Sequence, residues 1–396
     1  MATCTFREAR AAVLDRAVSA RRLEREQISL DAALGRVLAG IVSADRDYPP
    51  VARSIRDGFA VRAADLPGSL TLIGEVRAGG VFEGETGPGQ CVEIMTGAPM
   101  PNGADAVVMV EHVQRLEGRI ATTRSPAPGE FVNLQGAEAR QGQPLLPAGT
   151  VLDFPQIALL AQIGLASVSV YRRPTVAILS TGDEVVPITG TPSPSQVRNS
   201  NAWSIAAQVL RAGGIPDILP IARDNEEETR RLIAEGLERD LLLLSGGVSA
   251  GKYDFVEPAL AECNAEFFFD RVLIQPGQPL VFGRANNRLF FGLPGNPAST
   301  MVTFELFARA ALELLAGHQS PELRMPRMRL TEPFRHKTGL TRFLPARASA
   351  EHSAVTPIHW QGSSDVAALA RSNAFLVADD DRESWDLGDE IGVLLP

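Results

Sequence analysis

Ser245-Gly246-Gly247-Val248-Ser249-Ala250-Gly251-Lys252-Tyr253-Asp254 combines residue types that suit an anion or a metal. Glycines at 246, 247 and 251 let backbone N–H groups approach a ligand with no side chain in the way. Ser245 and Ser249 add hydroxyl donors, and Asp254 adds a carboxylate able to hold a cation. Taken alone, the loop reads equally well as a tight turn whose glycines only supply positive φ. Two further stretches shift that balance: Ser180-Thr181-Gly182-Asp183-Glu184, and Leu293-Pro294-Gly295-Asn296-Pro297-Ala298-Ser299-Thr300. Each follows a short apolar run, so three strand ends carry small polar residues and two carry carboxylates. Three such loops in one sheet point to a site.

The elements that place these loops follow from pattern. Leu241–Leu244, Val176–Leu179 and Arg288–Gly292 have the length and apolar continuity of strands buried on both faces of a parallel sheet. After Tyr253, Phe255, Val256, Ala259 and Leu260 recur at helical spacing. Residues 174–316 alternate strand and helix, which predicts a doubly wound sheet with the loops at its carboxyl edge. Upstream, Phe6, Ala9, Val13, Leu14 and Ala17 form a helical stripe. A second helix is predicted after Ser29 as N-cap, with Leu30, Ala33, Leu34, Val37 and Leu38 as its stripe and Gly40 as its stop. Leu70–Val76, Cys91–Met95, Ala106–Val113 and Arg119–Thr122 read as strands of a small β domain. Helical spacing resumes over 155–164, and 324–396 reads as strands around one short helix at Asp365–Ala370. The expected architecture is a multidomain α/β chain. It has a discontinuous helical N-terminal domain (1–47 and 141–173) and an inserted β domain (48–140). A central doubly wound α/β domain (174–320) and a β-barrel-like C-terminal domain (324–396) follow.

Composition narrows the function. With 396 residues the chain can build several domains, and its formal charge of −9 argues against nucleic acid or an anionic membrane as partner. An anionic small molecule is compatible if the site neutralises it locally. Cys4, Cys91 and Cys263 are too few and too scattered for a disulfide framework or a zinc site, as expected in a reducing cytoplasm. His336, His352 and His359 lack metal spacing. No apolar run is long enough to span a membrane. The sequence holds no Ser–His–acid arrangement, Walker-type loop or dinucleotide fingerprint. Two acidic positions have bland local readings. Ser54 to Gly58, with Asp57, reads as a turn, and Asp224 with Glu227 reads as a capping box that opens a helix.

Taken together, the segments resemble one family, the molybdopterin molybdenumtransferases (MoeA and the gephyrin E domain), over nearly the whole chain. The resemblance rests on Pro49-Pro50, Ser54-Ile55-Arg56-Asp57-Gly58-Phe59-Ala60-Val61, Ile94-Met95-Thr96-Gly97-Ala98-Pro99, Pro144, and Pro147-Ala148-Gly149-Thr150. It continues through Ser180–Glu184, Arg198-Asn199-Ser200-Asn201, Ser245–Ser249 and Pro294-Gly295-Asn296-Pro297. It implies insertion of molybdenum from molybdate into adenylylated molybdopterin with release of AMP and with Mg²⁺ present. That is the last step of molybdenum cofactor synthesis. It implies a cytoplasmic homodimer, with the adenylyltransferase and molybdoenzyme-maturation proteins as candidate partners. Carried over position by position, it marks Asp57, Glu184, Asp224 and Asp254 as catalytic and Thr96 as substrate-binding. Ser245, Gly246, Gly247, Ser249, Gly251, Pro294, Gly295, Asn296, Pro297 and Ser299 join the substrate loops, and Asp183, Glu184 and Asp254 suit the metal. The dithiolene sulfurs belong to the substrate, so no protein Cys is required.

The chain departs from the family pattern at several positions. Gln275 and Gln278 stand where lysines are usual, Leu134 and Gln135 where basic residues are usual, Gly136-Ala137-Glu138 replaces a Gly-Glu-Asp stretch, and Arg56 replaces Met. A Gln still donates a hydrogen bond, but without charge assistance. Arg271 and Arg284 are the nearest cations in sequence. Two rival readings follow: a non-catalytic paralogue that binds molybdopterin or a partner protein, favoured by the Gln positions, and the adenylylation enzyme, which shares the central domain type. The retained carboxylates argue against the first and the flanking domains against the second.

Overall fold

The computed structural model describes residues 3–20, 24–247 and 255–396, which form two compact units. One comprises Met1–Ala39, Gly149–Asp153 and Ser167–Pro396; the other comprises Gly40–Ala148 and Phe154–Ala166.

The larger unit is built on a six-stranded sheet in the order Ile215–Ile218, Thr175–Ser180, Leu241–Ser245, Arg288–Leu293, Val281–Ala285, Glu266–Phe269. The first four strands are parallel, Val281–Ala285 runs antiparallel to them, and Glu266–Phe269 pairs antiparallel with Val281–Ala285. The leucine run shows why this sheet is double-faced. Leu241 and Leu243 join a core with the helices Phe6–Ala20, Ser200–Arg211 and Pro297–Thr303. Leu242 and Leu244 join the opposite core, under Glu226–Gly236 and Val256–Glu262. Alternation along a strand sends neighbours to opposite faces, so four consecutive leucines are needed to fill both. Past Thr303 the chain runs through a buried π-helical turn, Phe304–Ala308, into the helix Arg309–Leu315.

In the C-terminal region the strands Arg327–Leu330, Thr341–Ala348, Ala354–Pro357, Ala374–Ala378 and Glu390–Leu394 close on one another as a barrel. The helix Val366–Arg371 sits among them, capped by Asp365.

One predicted element is overturned. There is no helix after Ser29: Arg25–Ser29 is a strand paired antiparallel with Ser167–Tyr171, and only Leu30–Ala32 make a 3₁₀ turn. Gly35 sits at φ +72°, outside helical space, and Val37 and Leu38 bridge to Val151 and Val170. Val37 and Leu38 are buried by pairing and Ala33 at the end of the 3₁₀ turn, while Leu34 stays 60% exposed. Tertiary pairing overrides helical spacing here.

The smaller unit holds a six-stranded mixed sheet in the order Ala106–Met109, Gly58–Val61, Gln90–Ile94, Gly68–Val76, Arg119–Thr122, Gln114–Leu116. Phe59 and Val61 face one core and Ala60 the other. Gly58 is required by close packing: a Cβ there would lie 2.1 Å from the Val108 carbonyl oxygen.

Candidate active site

The three polar loops do converge. Thr175–Ser180, Leu241–Ser245 and Arg288–Leu293 are neighbours in the parallel part of the sheet, so their carboxyl ends emerge side by side. They open on a cleft of about 660 Å³ lined by Thr181, Glu184, Ser245, Gly246, Gly247 and the segment Pro294–Pro297. Asn199, Ser200 and Asn201 close another side, at the start of the helix Ser200–Arg211.

Hydrogen bonds fix the loops to each other. Asn201 Nδ2 donates to Ser245 Oγ at 2.9 Å and to the Gly295 carbonyl at 2.7 Å. The Gly246 N–H donates to the Leu293 carbonyl and the Thr181 N–H to the Ser245 carbonyl, both at 3.2 Å. Ser180 Oγ donates to Asn199 Oδ1, the same oxygen that caps the helix through the Ala202 N–H. Gly246 and Gly247 are held at φ +90° and +64°, and a Cβ on Gly247 would lie 2.6 Å from Thr181 Oγ1. Only glycine fits that approach. Thr181 Oγ1 and Asn201 Oδ1 are buried with no hydrogen-bond partner among the described residues. Buried polar atoms of this kind call for a ligand or water.

The predicted carboxylates divide. Glu184 lines the cleft. Asp183 does not; its Oδ1 accepts the Asp224 N–H at 3.2 Å, so Asp183 and Asp224 meet beside the cleft. Asp224 is not the cap of the following helix. Asn225 is, its side chain accepting the Glu228 N–H at 3.0 Å. The spacing matched one residue early, because Asn and Asp are interchangeable as caps. Ser299 is buried in the helix Pro297–Thr303, outside the cleft lining. Ser249, Gly251 and Asp254 lie outside the described residues.

Asp57 and Thr96 belong to the smaller unit and are bonded to each other. Asp57 Oδ1 accepts the Thr96 N–H at 2.6 Å and its hydroxyl at 2.8 Å. The backbone bond first, then the hydroxyl, hold the Asp57 carboxyl below the usual aspartate range. Thr96 lines a second cleft, of about 420 Å³, together with Arg46, Tyr48, Arg53 and Glu138.

The sequence marks Arg198 and Asn201 only as part of a family motif, with no role of their own, and does not mark Arg342 at all. Asn201 clamps two loops, and Arg198 lines the larger cleft. Arg342 is the register partner of Gln275 in a parallel pair, and its Nε is buried with no hydrogen-bond partner among the described residues. Of the cations near in sequence, Arg284 is taken by Glu266 at 2.8 Å. The signal for Arg342 is a strand pairing across 67 positions, which no local pattern contains.

Comparison with known proteins agrees along the length of the chain. Residues 4–164 match the MoeA N-terminal region (domain I and II), 177–314 a probable molybdopterin binding domain, and 327–395 the MoeA C-terminal region (domain IV). A molybdopterin molybdenumtransferase of Bacillus subtilis is 35% identical over 386 residues, covering 94% of this chain and 90% of that one. One from a Nostoc species is 39% identical over 305 residues, covering 74% and 70%. Among solved structures, a molybdopterin biosynthesis MoeA protein of Pyrococcus horikoshii superposes with a TM-score of 0.83 at 27% identity, over the full length of both chains. Another, of the same organism, gives 0.79 at 30% identity, covering 100% of this chain and 99% of that one. Matched in domain order by these family models and in sequence by these relatives over most of its length, the chain belongs to the molybdopterin molybdenumtransferase family.

Proposed function

We propose that the chain inserts molybdenum into adenylylated molybdopterin, taking molybdate and releasing AMP. The observation that carries this reading is the convergence of three adjacent strand ends on one polar cleft within the region that matches a molybdopterin binding domain. The substrates carry phosphate groups and an oxyanion, and the chain is acidic overall. The cleft offers what such ligands need: unhindered backbone at Gly246 and Gly247, the Thr181 and Ser245 hydroxyls, and Arg198. Asn201 keeps two of the loops at a fixed separation, so binding need not first order them.

The donor set also fits Mg²⁺. Among the described residues no cluster of three or more His, Cys, Asp or Glu side chains could cage a metal. Mg²⁺ asks for less: one or two carboxylates, several waters and substrate phosphate oxygens. Glu184 would hold it from the cleft, with Asp183, beside the cleft, and Asp254, outside the described residues, as further candidate donors. When bound it would polarise the phosphate oxygens and support the departing AMP. The same family reading supports a homodimer, and three free cysteines suit a reducing compartment such as the cytoplasm.

The test is incubation of the purified chain with adenylylated molybdopterin, Mg²⁺ and molybdate. AMP release that requires molybdate is expected. Glu184→Gln should lower it by about 10²-fold, the scale of losing one electrostatic partner of the reacting groups. Glu184 is exposed, so the variant should unfold like the wild type. AMP release indifferent to molybdate, or full turnover in the variant, would reject the reading.

A further inference from the structure

The smaller unit has a cleft of its own, and its hydrogen-bond inventory is lopsided. Tyr48 donates its hydroxyl to Asp45 at 2.6 Å, and Ser54 donates to the Arg56 carbonyl at 2.5 Å. Thr96 donates to Asp57, and Asn133 Nδ2 to Glu138 at 2.8 Å. Four of the lining donors are thus committed inside the unit. Glu138, the one carboxylate of the lining, is held by Asn133. One guanidinium group in the lining, that of Arg53, remains. Arg53 comes from the short strand Arg53–Ser54, paired antiparallel with Val132–Asn133, and its Nε is buried with no hydrogen-bond partner among the described residues. Arg46 packs its guanidinium over the Tyr48 ring at 5.5 Å and hydrogen-bonds the Tyr48 side chain, so it adds positive charge beside Arg53 rather than a free donor.

We propose that this cleft is an oxyanion site in which Arg53, backed by Arg46, takes a tetrahedral group of the phosphate type. A guanidinium offers parallel N–H donors that match two oxygens of such a group, and a desolvated nitrogen without a partner loses free energy until an acceptor arrives. The volume, about 420 Å³, admits a phosphate-bearing group rather than a bare ion alone. The identity of the physiological anion rests on the proposed function: either a phosphate group of adenylylated molybdopterin or molybdate. The site itself does not rest on it.

The probe is inorganic pyrophosphate, titrated calorimetrically into the full-length chain at low ionic strength, with molybdate as competitor. Wild type should bind, Arg53→Met should bind at least tenfold more weakly, and Arg53→Lys should fall between. Arg46→Gln should show a smaller loss, and Arg335→Gln, at an exposed position outside both clefts, should bind like the wild type. Arg53-dependent displacement of pyrophosphate by molybdate would assign the site to tetrahedral oxyanions in general. Its absence would assign the site to phosphate groups. No binding by the wild type, or equal binding by folded Arg53→Met and Arg53→Lys, would overturn the proposal. AMP release assayed on the same preparations separates the two ideas. Arg53-dependent pyrophosphate binding in a chain that releases no AMP would reject the proposed function and leave the oxyanion site standing.

Discussion

Gln275 stands where the family resemblance leads one to expect a lysine, and the fold shows what stands near it. The strand Ile274–Gln275 runs parallel to Thr341–Ala348, with Gln275 opposite Arg342. A neutral amide thus lies beside a strand that supplies a cation. Hydrogen bonds to charged groups contribute roughly 1.5–3 kcal/mol against about 1 for neutral ones. If Gln275 faces the oxyanion, Gln275→Lys should lower the molybdate concentration for half-maximal AMP release by about tenfold. The measurement is steady-state AMP release across a molybdate series. An unmoved midpoint would show that Arg342 already supplies the charge. A raised midpoint would show that two cations repel there and that the amide is the better donor. Only the first half of this argument is legible in the sequence. Gln275 can be seen against a family pattern, but Arg342 becomes its neighbour only through a strand pairing between distant segments.

Among the elements, the helix Arg309–Leu315 and the turn after it carry a charged cluster with a pH-dependent consequence. The His318 N–H donates to the Glu313 carbonyl at 3.0 Å, closing the helix. Burial, and then the Arg309 charge, hold the His318 imidazole below the usual histidine pKa. Glu313 is shifted upward by burial, although Arg309 at 3.0 Å and Arg10 oppose this. The sign follows from linkage. Above about pH 6.5 His318 is neutral in both states and stability is fully present. Below it the unfolded chain takes up a proton that the folded chain refuses, so stability falls until the depressed folded pKa is reached. Raised Glu313 contributes in the opposite sense at lower pH, where the folded carboxyl binds its proton first. His318→Gln should therefore flatten the loss of stability just below about pH 6.5, by at most about 1.4 kcal/mol per pH unit. Denaturant unfolding at several pH values reads this directly. An unchanged slope would mean that His318 does not titrate on unfolding. The elements themselves were unequally legible. Leu241–Leu244 announced a strand buried on both faces, and the structure sends alternate leucines to opposite cores. The segment after Ser29 carried equally good helical spacing and became a paired strand and a 3₁₀ turn instead. Periodicity records which residues are buried; it does not record whether a neighbouring helix face or a partner strand buries them.

For the whole molecule, the division of the candidate site residues between two units sets the decisive experiment. Asp57 and Thr96 lie in the smaller unit, and Glu184, Ser245 and the Pro294–Pro297 segment lie in the larger. The family resemblance implies that the smaller unit of one subunit serves the sheet of another. A two-fold dimer would then carry two equivalent composite sites. Consider Asp57→Ala in one chain and Glu184→Gln in the other. Each homodimer should be inactive, because both of its sites carry a lesion. In a mixed dimer with sites shared between chains, one site collects both lesions and the other collects neither. Co-expressed chains should then recover up to about half of wild-type AMP release per mixed dimer, provided the two sites act independently. If each site were completed within one chain, every site in the mixture would carry one lesion and nothing would be recovered. Separately tagged chains, purified through both tags, guarantee that the species assayed is mixed. Activity near half would establish a composite site, and its absence in verified mixed dimers would place Asp57 and Glu184 in the service of the same chain. The arginine-lined cleft beside Thr96 sharpens the outcome. With sharing, Arg53→Met should complement Glu184→Gln as Asp57→Ala does, because both lesions then travel with the smaller unit.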